Sequence, residues 1–215
     1  HYKTDQSGRA LFVAPLDPGI IFGSIAGRPG RVPTTVISPT TEATNASVAS
    51  APRIASLADR FEVTGHGFCG DADSNAVNIG GHSAVVLASS PTSLVLLPPA
   101  DLDPGAAAVK ISCAKNAFAS FLITFLALDL HADASPLSPN EHRKLTVTIA
   151  GSAAKIVLEA KNLAPGIAEL VGGASVRQLS TGGQQNTAQF EVVGRRRGSF
   201  IISIHLVPVI GRPAS

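Results

Sequence analysis

Short runs of aliphatic and β-branched residues alternate with polar positions along most of the chain. Phe61 and Val63 alternate with polar neighbours, and Val77 and Ile79 do the same just before the Gly80-Gly81 pair. Glycine, proline, asparagine and aspartate interrupt these runs at intervals of about 8–12 residues, which is typical of sandwiches built from short strands. The pattern predicts an all-β fold made of tandem immunoglobulin-like β-sandwich domains.

Two regions of the chain carry this alternation most clearly. We therefore predict one sandwich over residues 53–130 and a second over residues 144–215. The segment 131–143 is polar and contains prolines, so it is predicted to be a linker. The segment 38–52 consists mostly of Ser, Thr, Ala and Pro, and is predicted to be another linker because it has little apolar surface to bury.

The first 37 residues are too few for a sandwich of about 100 residues. Asp17-Pro18-Gly19 separates two β-rich runs and has the residue types of a turn. We predict a β-hairpin over residues 1–37. It is either the tail of a module truncated upstream or a pair of strands that docks on a neighbour.

The longest apolar run extends from Ala117 to Leu128. It is shorter than the roughly 20 residues that a membrane-spanning helix needs. We predict a buried strand or a pair of short strands here, and no membrane-spanning segment.

Composition narrows the possible functions. The chain is 45% hydrophobic and 15% charged, which is sufficient apolar material for packed cores. Its formal net charge is only +2, so a nucleic-acid partner is not expected. There is no tryptophan and a single tyrosine, Tyr2, which disfavours sugar binding by stacking on exposed aromatic rings.

Four motifs in the first predicted sandwich occur in a characteristic order. They are TGHGF at 64–68, VNIGG at 77–81, SPTSLVLLPP at 90–99 and PGAAAVKI at 104–111. With this order and spacing, residues 53–116 resemble the IPT/TIG family of immunoglobulin-like domains. The resemblance implies a spacer, adhesion or accessory module of an exported bacterial protein, and the family has no catalytic residues to transfer.

The chain has two cysteines, Cys69 and Cys113. Cys113 shares a strand face with Val109 and Ile111, and that face is expected to point into the core. In the IPT/TIG arrangement the first and last strands lie close together, which implies a Cys69–Cys113 disulfide. Two separate buried thiols are the alternative.

No metal or cofactor site is predicted. Asp71, Asp73 and Asn75 imitate the start of a calcium loop, but Ala76 stands where that loop needs glycine and His82 where it needs glutamate. We interpret these residues as a solvated turn. The chain also lacks a nucleophile elbow, an HExxH motif, a P-loop and a GxGxxG motif, so we predict that it is not an enzyme.

Arg195, Arg196 and Arg197 form a local basic cluster between Gly194 and Gly198, at a predicted hairpin tip. The cluster is either a solvated turn or a contact for an anionic partner. IPT/TIG-like domains also occur in DNA-binding transcription factors, although a triplet in a nearly neutral chain favours that class little.

These observations favour a non-catalytic structural or adhesive spacer, or a protein-binding segment, of a larger exported or cell-surface bacterial protein. Its partner would be a protein or a cell-surface polymer. The alternative is an accessory carbohydrate-binding region of an extracellular hydrolase.

Overall fold

A computed structural model describes residues 19–24, 30–36, 46–113, 119–133, 135–152, 154–182 and 186–211. These residues form eighteen strands and one 3-10 turn, Ala72–Ser74. Within them there is no helix with the length and apolarity that crossing a membrane requires. The strands are β1 (Gly19–Gly23), β2 (Val32–Val36), β3 (Ser47–Pro52), β4 (Ile54–Ser56), β5 (Phe61–His66), β6 (Asn75–Ile79), β7 (His82–Ser83), β8 (Val85–Ser90), β9 (Ser93–Leu97), β10 (Gly105–Cys113), β11 (Ala119–His131), β12 (His142–Ala150), β13 (Val157–Asn162), β14 (Ala168–Leu170), β15 (Ser175–Leu179), β16 (Asn186–Gly194), β17 (Ile202–Leu206) and β18 (Ile210–Gly211).

The first sandwich packs two sheets around one core. One sheet has the order β18-β3-β5-β9-β8, and the other contains β10, β6, β7 and the first half of β11. Alternate residues of β5, β9 and β10 point inward, as their apolar spacing predicts. The core includes Phe61 and Phe125, whose rings meet edge to face with centroids 5.8 Å apart.

The second sandwich has its own core. One sheet follows the order β14-β16-β12 and is continued by the second half of β11, and the other has the order β15-β13-β17. Leu158 and Phe190 lie in the middle of this core. The predicted all-β fold of tandem sandwiches is confirmed.

Strand β11 belongs to both sandwiches. Phe121, Ile123 and Phe125 point into the first core, whereas Leu126 points into the second. Because successive side chains of a strand point to opposite faces, the strand changes its buried face between residues 125 and 126. Its first half pairs with β10 and its second half with β12. The sandwiches are thus joined through an unbroken strand.

Two further elements connect the sandwiches. Strand β4 pairs in parallel with residues 124–126 of β11, and Ile54 packs against the second core whereas Ala55 packs in the first. After β17 the chain returns to the first sandwich, where β18 pairs with residues 51 and 52 of β3. The end of the described chain is therefore an edge strand of the sandwich that comes first in the sequence.

These connections correct two predicted boundaries. Residues 127–130, assigned to the first sandwich, pair with β12 of the second. The linker prediction for 38–52 is wrong for its last six residues, which form strand β3. Its neighbour β5 approaches it closely at Gly65, where any Cβ would clash with the Ser47 carbonyl oxygen.

The N-terminal hairpin differs from its prediction. Strands β1 and β2 pair from Gly19↔Val36 to Gly23↔Val32, so Gly19 begins a strand instead of ending a turn. Residues 1–18, 25–29 and 37 of the predicted hairpin lie outside the described residues. The hairpin docks on the first sandwich, since the Thr35 hydroxyl oxygen accepts a hydrogen bond from the Ser89 amide at 2.8 Å.

Glu159 in β13 supports a pH-dependent prediction. Its carboxylate lies 3.0 Å from Lys161 Nζ and 3.1 Å from Arg177 Nε, and these hydrogen bonds lower its pKa from 4.5 to about 2. A lowered folded-state pKa contributes stability above the unfolded pKa and loses it as the pH falls through the folded one. We expect Glu159→Gln to lower the melting temperature at neutral pH, and the gap from wild type to close between pH 4.5 and 2. A gap that stays constant over this range in circular-dichroism melts would contradict the prediction.

Candidate binding surface

The two cysteines lie together in the first sandwich. Cys69 and Cys113 are joined by a disulfide, with their Cα atoms 5.2 Å apart. Cys113 ends β10, and Cys69 lies in the turn that follows β5. The disulfide therefore links the turn that follows β5 in one sheet to the last residue of β10 in the facing sheet.

The buried amide of Asn75 holds the loop beside this disulfide. Its Oδ1 accepts the Cys69 backbone N–H at 2.9 Å, and its Nδ2 lies 2.9 Å from the Cys69 carbonyl and 2.8 Å from the Asp71 carbonyl. Ser89 Oγ also lies 2.9 Å from Nδ2. Asn75, the fifth position of the calcium-like motif, thus satisfies loop backbone groups. Asp71 accepts a hydrogen bond from Ser74 Oγ at 3.0 Å.

We expect Asn75→Ala to lower the free energy of unfolding by about 2 kcal/mol, because it removes a buried amide that bonds the loop and leaves the half-buried Cys69 backbone N–H without a partner. Asn78→Ala is the matched control in the same strand. Asn78 accepts a single exposed hydrogen bond, from the Gly81 amide, so its loss should cost about 0.5 kcal/mol. Urea unfolding followed by far-ultraviolet circular dichroism measures both. An equal decrease in the free energy of unfolding in the two variants would show that the Asn75 hydrogen bonds stabilise the fold no more than the exposed Asn78 bond does.

Three histidines of the described residues, His82, His131 and His142, pair with carboxylates at the surface. His82 Nδ1 lies 2.8 Å from Asp101, and His142 Nδ1 lies 2.7 Å from Glu191. In the part of the chain that the structure covers, no group of three His, Cys, Asp or Glu side chains is placed to hold a metal ion. The pairs serve as surface contacts between neighbouring loops and strands.

One serine–histidine pair has the separation of a nucleophile and its base. Ser203 Oγ lies 2.7 Å from His205 Nε2, both on β17. An activated serine also requires a group that orients the histidine through its other nitrogen. Among the described residues no carboxylate forms a hydrogen bond or ion pair with His205, although Glu159 lies opposite it on β13. Ser203 and His205 lie two positions apart on one edge strand. The pair has the geometry of a strand-surface hydrogen bond.

The three arginines of the basic cluster have different surroundings. Arg195 Nε lies 2.8 Å from Glu169 Oε2, so its charge is compensated. Arg196 Nε donates to the Gly166 carbonyl at 2.8 Å, and no carboxylate within the described residues pairs with it. Arg197 is exposed and has no partner among those residues. Two of the three positive charges, those of Arg196 and Arg197, therefore remain uncompensated.

Arg196 and Arg197 line a groove of about 830 Å³ on the second sandwich. We call it the β17 groove, because it runs from the arginines to the start of β17. Its apolar lining includes Leu130, Leu137, Phe200 and Ile202. The arginines are a visible triplet in the sequence, whereas these neighbours come from β11, the 135–141 loop and β17 and meet only in the folded chain.

One wall of the β17 groove is held rigidly. Arg143 donates hydrogen bonds to the backbone carbonyls of Asp133, Ser135 and Pro136, and it pairs with Glu141 at 2.6 Å. Glu141 also accepts the Ser138 amide, and both this bond and Arg143 lower the pKa of Glu141. In the segment 131–143, predicted to be a linker, residues 135–141 thus form a loop packed on the second sandwich, and residues 131, 142 and 143 belong to strands.

Comparison with known proteins adds little to this surface. No family model and no curated protein matches the chain. It is similar at 15% identity to a structural genomics protein of unknown function from Bacteroides thetaiotaomicron, with a TM-score of 0.35 over 54% of this chain and 37% of the other.

Two further solved structures are similar at 15% identity. One is SGBP-B of the Bacteroides ovatus mixed-linkage glucan utilization locus in complex with a mixed-linkage heptasaccharide, with a TM-score of 0.39 over 78% of this chain and 53% of the other. The other is domains 4 and 5 of the S-layer protein SbsC, with a TM-score of 0.26 over 79% and 98%. The chain spans less than two thirds of the first two proteins. At these scores the similarities carry no functional argument.

Proposed function

We propose that this chain is a non-catalytic structural segment of an exported or cell-surface bacterial protein. Its two sandwiches act as a stiff spacer that also offers an adhesive surface. The observation that carries the proposal is strand β11, which contributes Phe125 to one core and Leu126 to the next. A hinge at this joint would need to break strand pairing on both sides of these residues.

The disulfide supports the compartment in this proposal. Disulfides form and persist in oxidising environments such as the periplasm and the cell exterior. Cys69 and Cys113 are 44 residues apart in the sequence, so the bond closes a long loop and constrains the unfolded chain strongly.

The relation of the first sandwich to IPT/TIG domains is part of the proposal. It is supported by where the motifs lie. TGHGF begins in β5, VNIGG covers the end of β6 and the turn to β7, and SPTSLVLLPP contains the turn from β8 to β9 and all of β9. PGAAAVKI begins strand β10. Each motif thus occupies a turn or a strand, as in a module of that kind.

Stiffness is the property to test. Ser83 and Gln178 are each replaced by a non-natural azide amino acid, to which a spin label is attached. This chemistry leaves the disulfide intact and places one label on each sandwich. We expect pulsed electron–electron double resonance to give a single narrow distribution of the distance between the two labels. A broad distribution would show that the sandwiches move independently and would refute the spacer proposal.

Binding to insoluble polysaccharides distinguishes the spacer proposal from the alternative of an accessory carbohydrate-binding region. Phe200 is the aromatic residue of the β17 groove, and it is half-buried. Flat exposed rings are the usual platform for sugars. We expect the protein to stay unbound in pull-downs with insoluble cellulose, chitin and mixed-linkage glucan. Retention on any of these polymers would favour the alternative.

A further inference from the structure

We infer that the free edge of β17 takes up an extended peptide segment of a partner protein as an additional strand. The segment carries apolar side chains at alternate positions and an acidic end that meets Arg196 and Arg197. This inference rests on the adhesive part of the proposed function and names the site and the class of partner. It does not depend on whether the spacer is stiff.

The hydrogen bonds of β17 show which backbone groups are free. The Leu163 amide donates to the Ile201 carbonyl, and the Val207 amide donates to the Val157 carbonyl. Residues 201 and 207 therefore face β13. In an antiparallel pair this orientation alternates, so the amides and carbonyls of residues 202, 204 and 206 point away from β13. Within the described residues β13 is the one strand paired with β17, which leaves that edge open.

The facing sheet provides an apolar floor beside this edge. Leu126, Leu128 and Leu130 lie on one face of β11, and they change from fully buried to half-buried to 50% exposed along the strand. The uncovered end, Leu130, lines the β17 groove together with Ile202. A strand added next to β17 would place alternate side chains over Leu128 and Leu130, as an extended peptide does in strand addition.

Two other sheet edges in the described part of the chain differ from β17. The outer strand β8 is contacted by the N-terminal hairpin, through the Thr35–Ser89 hydrogen bond. The other edge of the β13 sheet, β15, carries Arg177, and charged residues on an edge oppose pairing with another chain. Strand β17 has the sequence ISIHL, with no Lys, Arg, Asp, Glu or Pro.

The positive charge of the β17 groove favours a partner strand with an acidic end. Arg196 and Arg197 stand at the end of the groove where β17 begins, and both charges are uncompensated. Arg143 lies in the same groove but is paired with Glu141. The one carboxylate in the groove lining, Asp133, accepts hydrogen bonds from the Ser135 amide and hydroxyl. A glutamate or aspartate of an incoming strand therefore finds two available guanidinium groups.

The experiment uses a defined peptide with the whole chain. A fluorescein-labelled octapeptide with two glutamates followed by alternating valine and threonine is titrated and followed by fluorescence anisotropy. A peptide with lysines in place of the glutamates is the control. We expect the acidic peptide to bind about tenfold more tightly than the basic one, corresponding to about 1.4 kcal/mol.

Two variants test the two parts of the site. Ile204→Pro removes an amide from the free edge without breaking a bond to β13, and edge strands tolerate proline there. Arg197→Glu reverses an exposed charge and leaves the fold alone. Each should weaken binding of the acidic peptide by about tenfold. Leu179→Pro, on the free edge of β15, and Lys155→Glu, an exposed residue of the same sandwich, are matched controls and should bind as wild type does.

The outcomes separate the possible occupants. Absence of peptide binding, or binding that neither Ile204→Pro nor Arg197→Glu weakens, would refute the inference. Binding of heparin that Arg197→Glu weakens and Ile204→Pro leaves unchanged, without peptide binding, would identify an anionic glycan instead. A homodimer in sedimentation that Ile204→Pro dissociates would identify a second copy of this chain as the occupant and would also overturn the inference.

Discussion

Replacing Cys69 and Cys113 together with alanine is expected to lower the free energy of unfolding by about 4 kcal/mol. The disulfide links residues 44 positions apart, so it removes many conformations from the unfolded chain. The folded loop retains the Asn75 hydrogen bonds, and the variant should therefore keep the native fold at low temperature. Equilibrium urea unfolding by far-ultraviolet circular dichroism measures the loss.

Reduction of the wild-type protein is the control for this prediction. Cys113 is buried, so alanine at that position also removes some packing. Wild type unfolded in the presence of a reductant loses the bond without losing either side chain. Both samples should show similar midpoints, well below that of the oxidised protein. Midpoints that coincide with the oxidised protein would mean that the bond does not constrain the unfolded state.

The second large effect is expected at the joint between the sandwiches. Leu126 is fully buried, and Leu126→Ala should lower the free energy of unfolding by about 3 kcal/mol, because it leaves a cavity in the second core next to Phe125 of the first. Leu122→Ala is the matched control. It makes the same change in the same strand at a side chain that is 54% exposed, and should cost about 0.5 kcal/mol.

Hydrogen exchange extends this prediction to both sandwiches. Because β11 pairs with β10 on one side of the joint and with β12 on the other, Leu126→Ala should speed exchange of amides in β9 as well as in β16. Faster exchange confined to β16 would show that the first sandwich is stable without its neighbour.

The fold class followed from sequence because alternation and turn residues act locally. The joint could not be predicted in the same way. In residues 121–128 the alternation shifts by one position, between Phe125 and Leu126, and the result looks like a continuous apolar run. Only the two cores on opposite faces of β11 explain that shift, and they are formed by residues far away in the sequence.

The candidate surface was predicted only in part for a similar reason. An arginine triplet is visible in sequence, but its effective charge depends on Glu169, which lies 26 residues before Arg195. Asn75 suggested a cation ligand because its neighbours are acidic. Asn75 is buried against β8, where it contacts Ser89, and this position lets it form hydrogen bonds with the backbone of Cys69. Such long-range partners have no local signature.

The return of β18 to β3 has a consequence for the order in which the protein is completed. Synthesis proceeds from the N-terminus, so the sheet hydrogen bonds offered by residues 51 and 52 must wait for residues 210 and 211. Until residues 210 and 211 have been synthesised, residues 51 and 52 at the edge of β3 lack their partner strand. We expect a chain that stops before residue 210 to leave this part of the edge unpaired and to aggregate more readily.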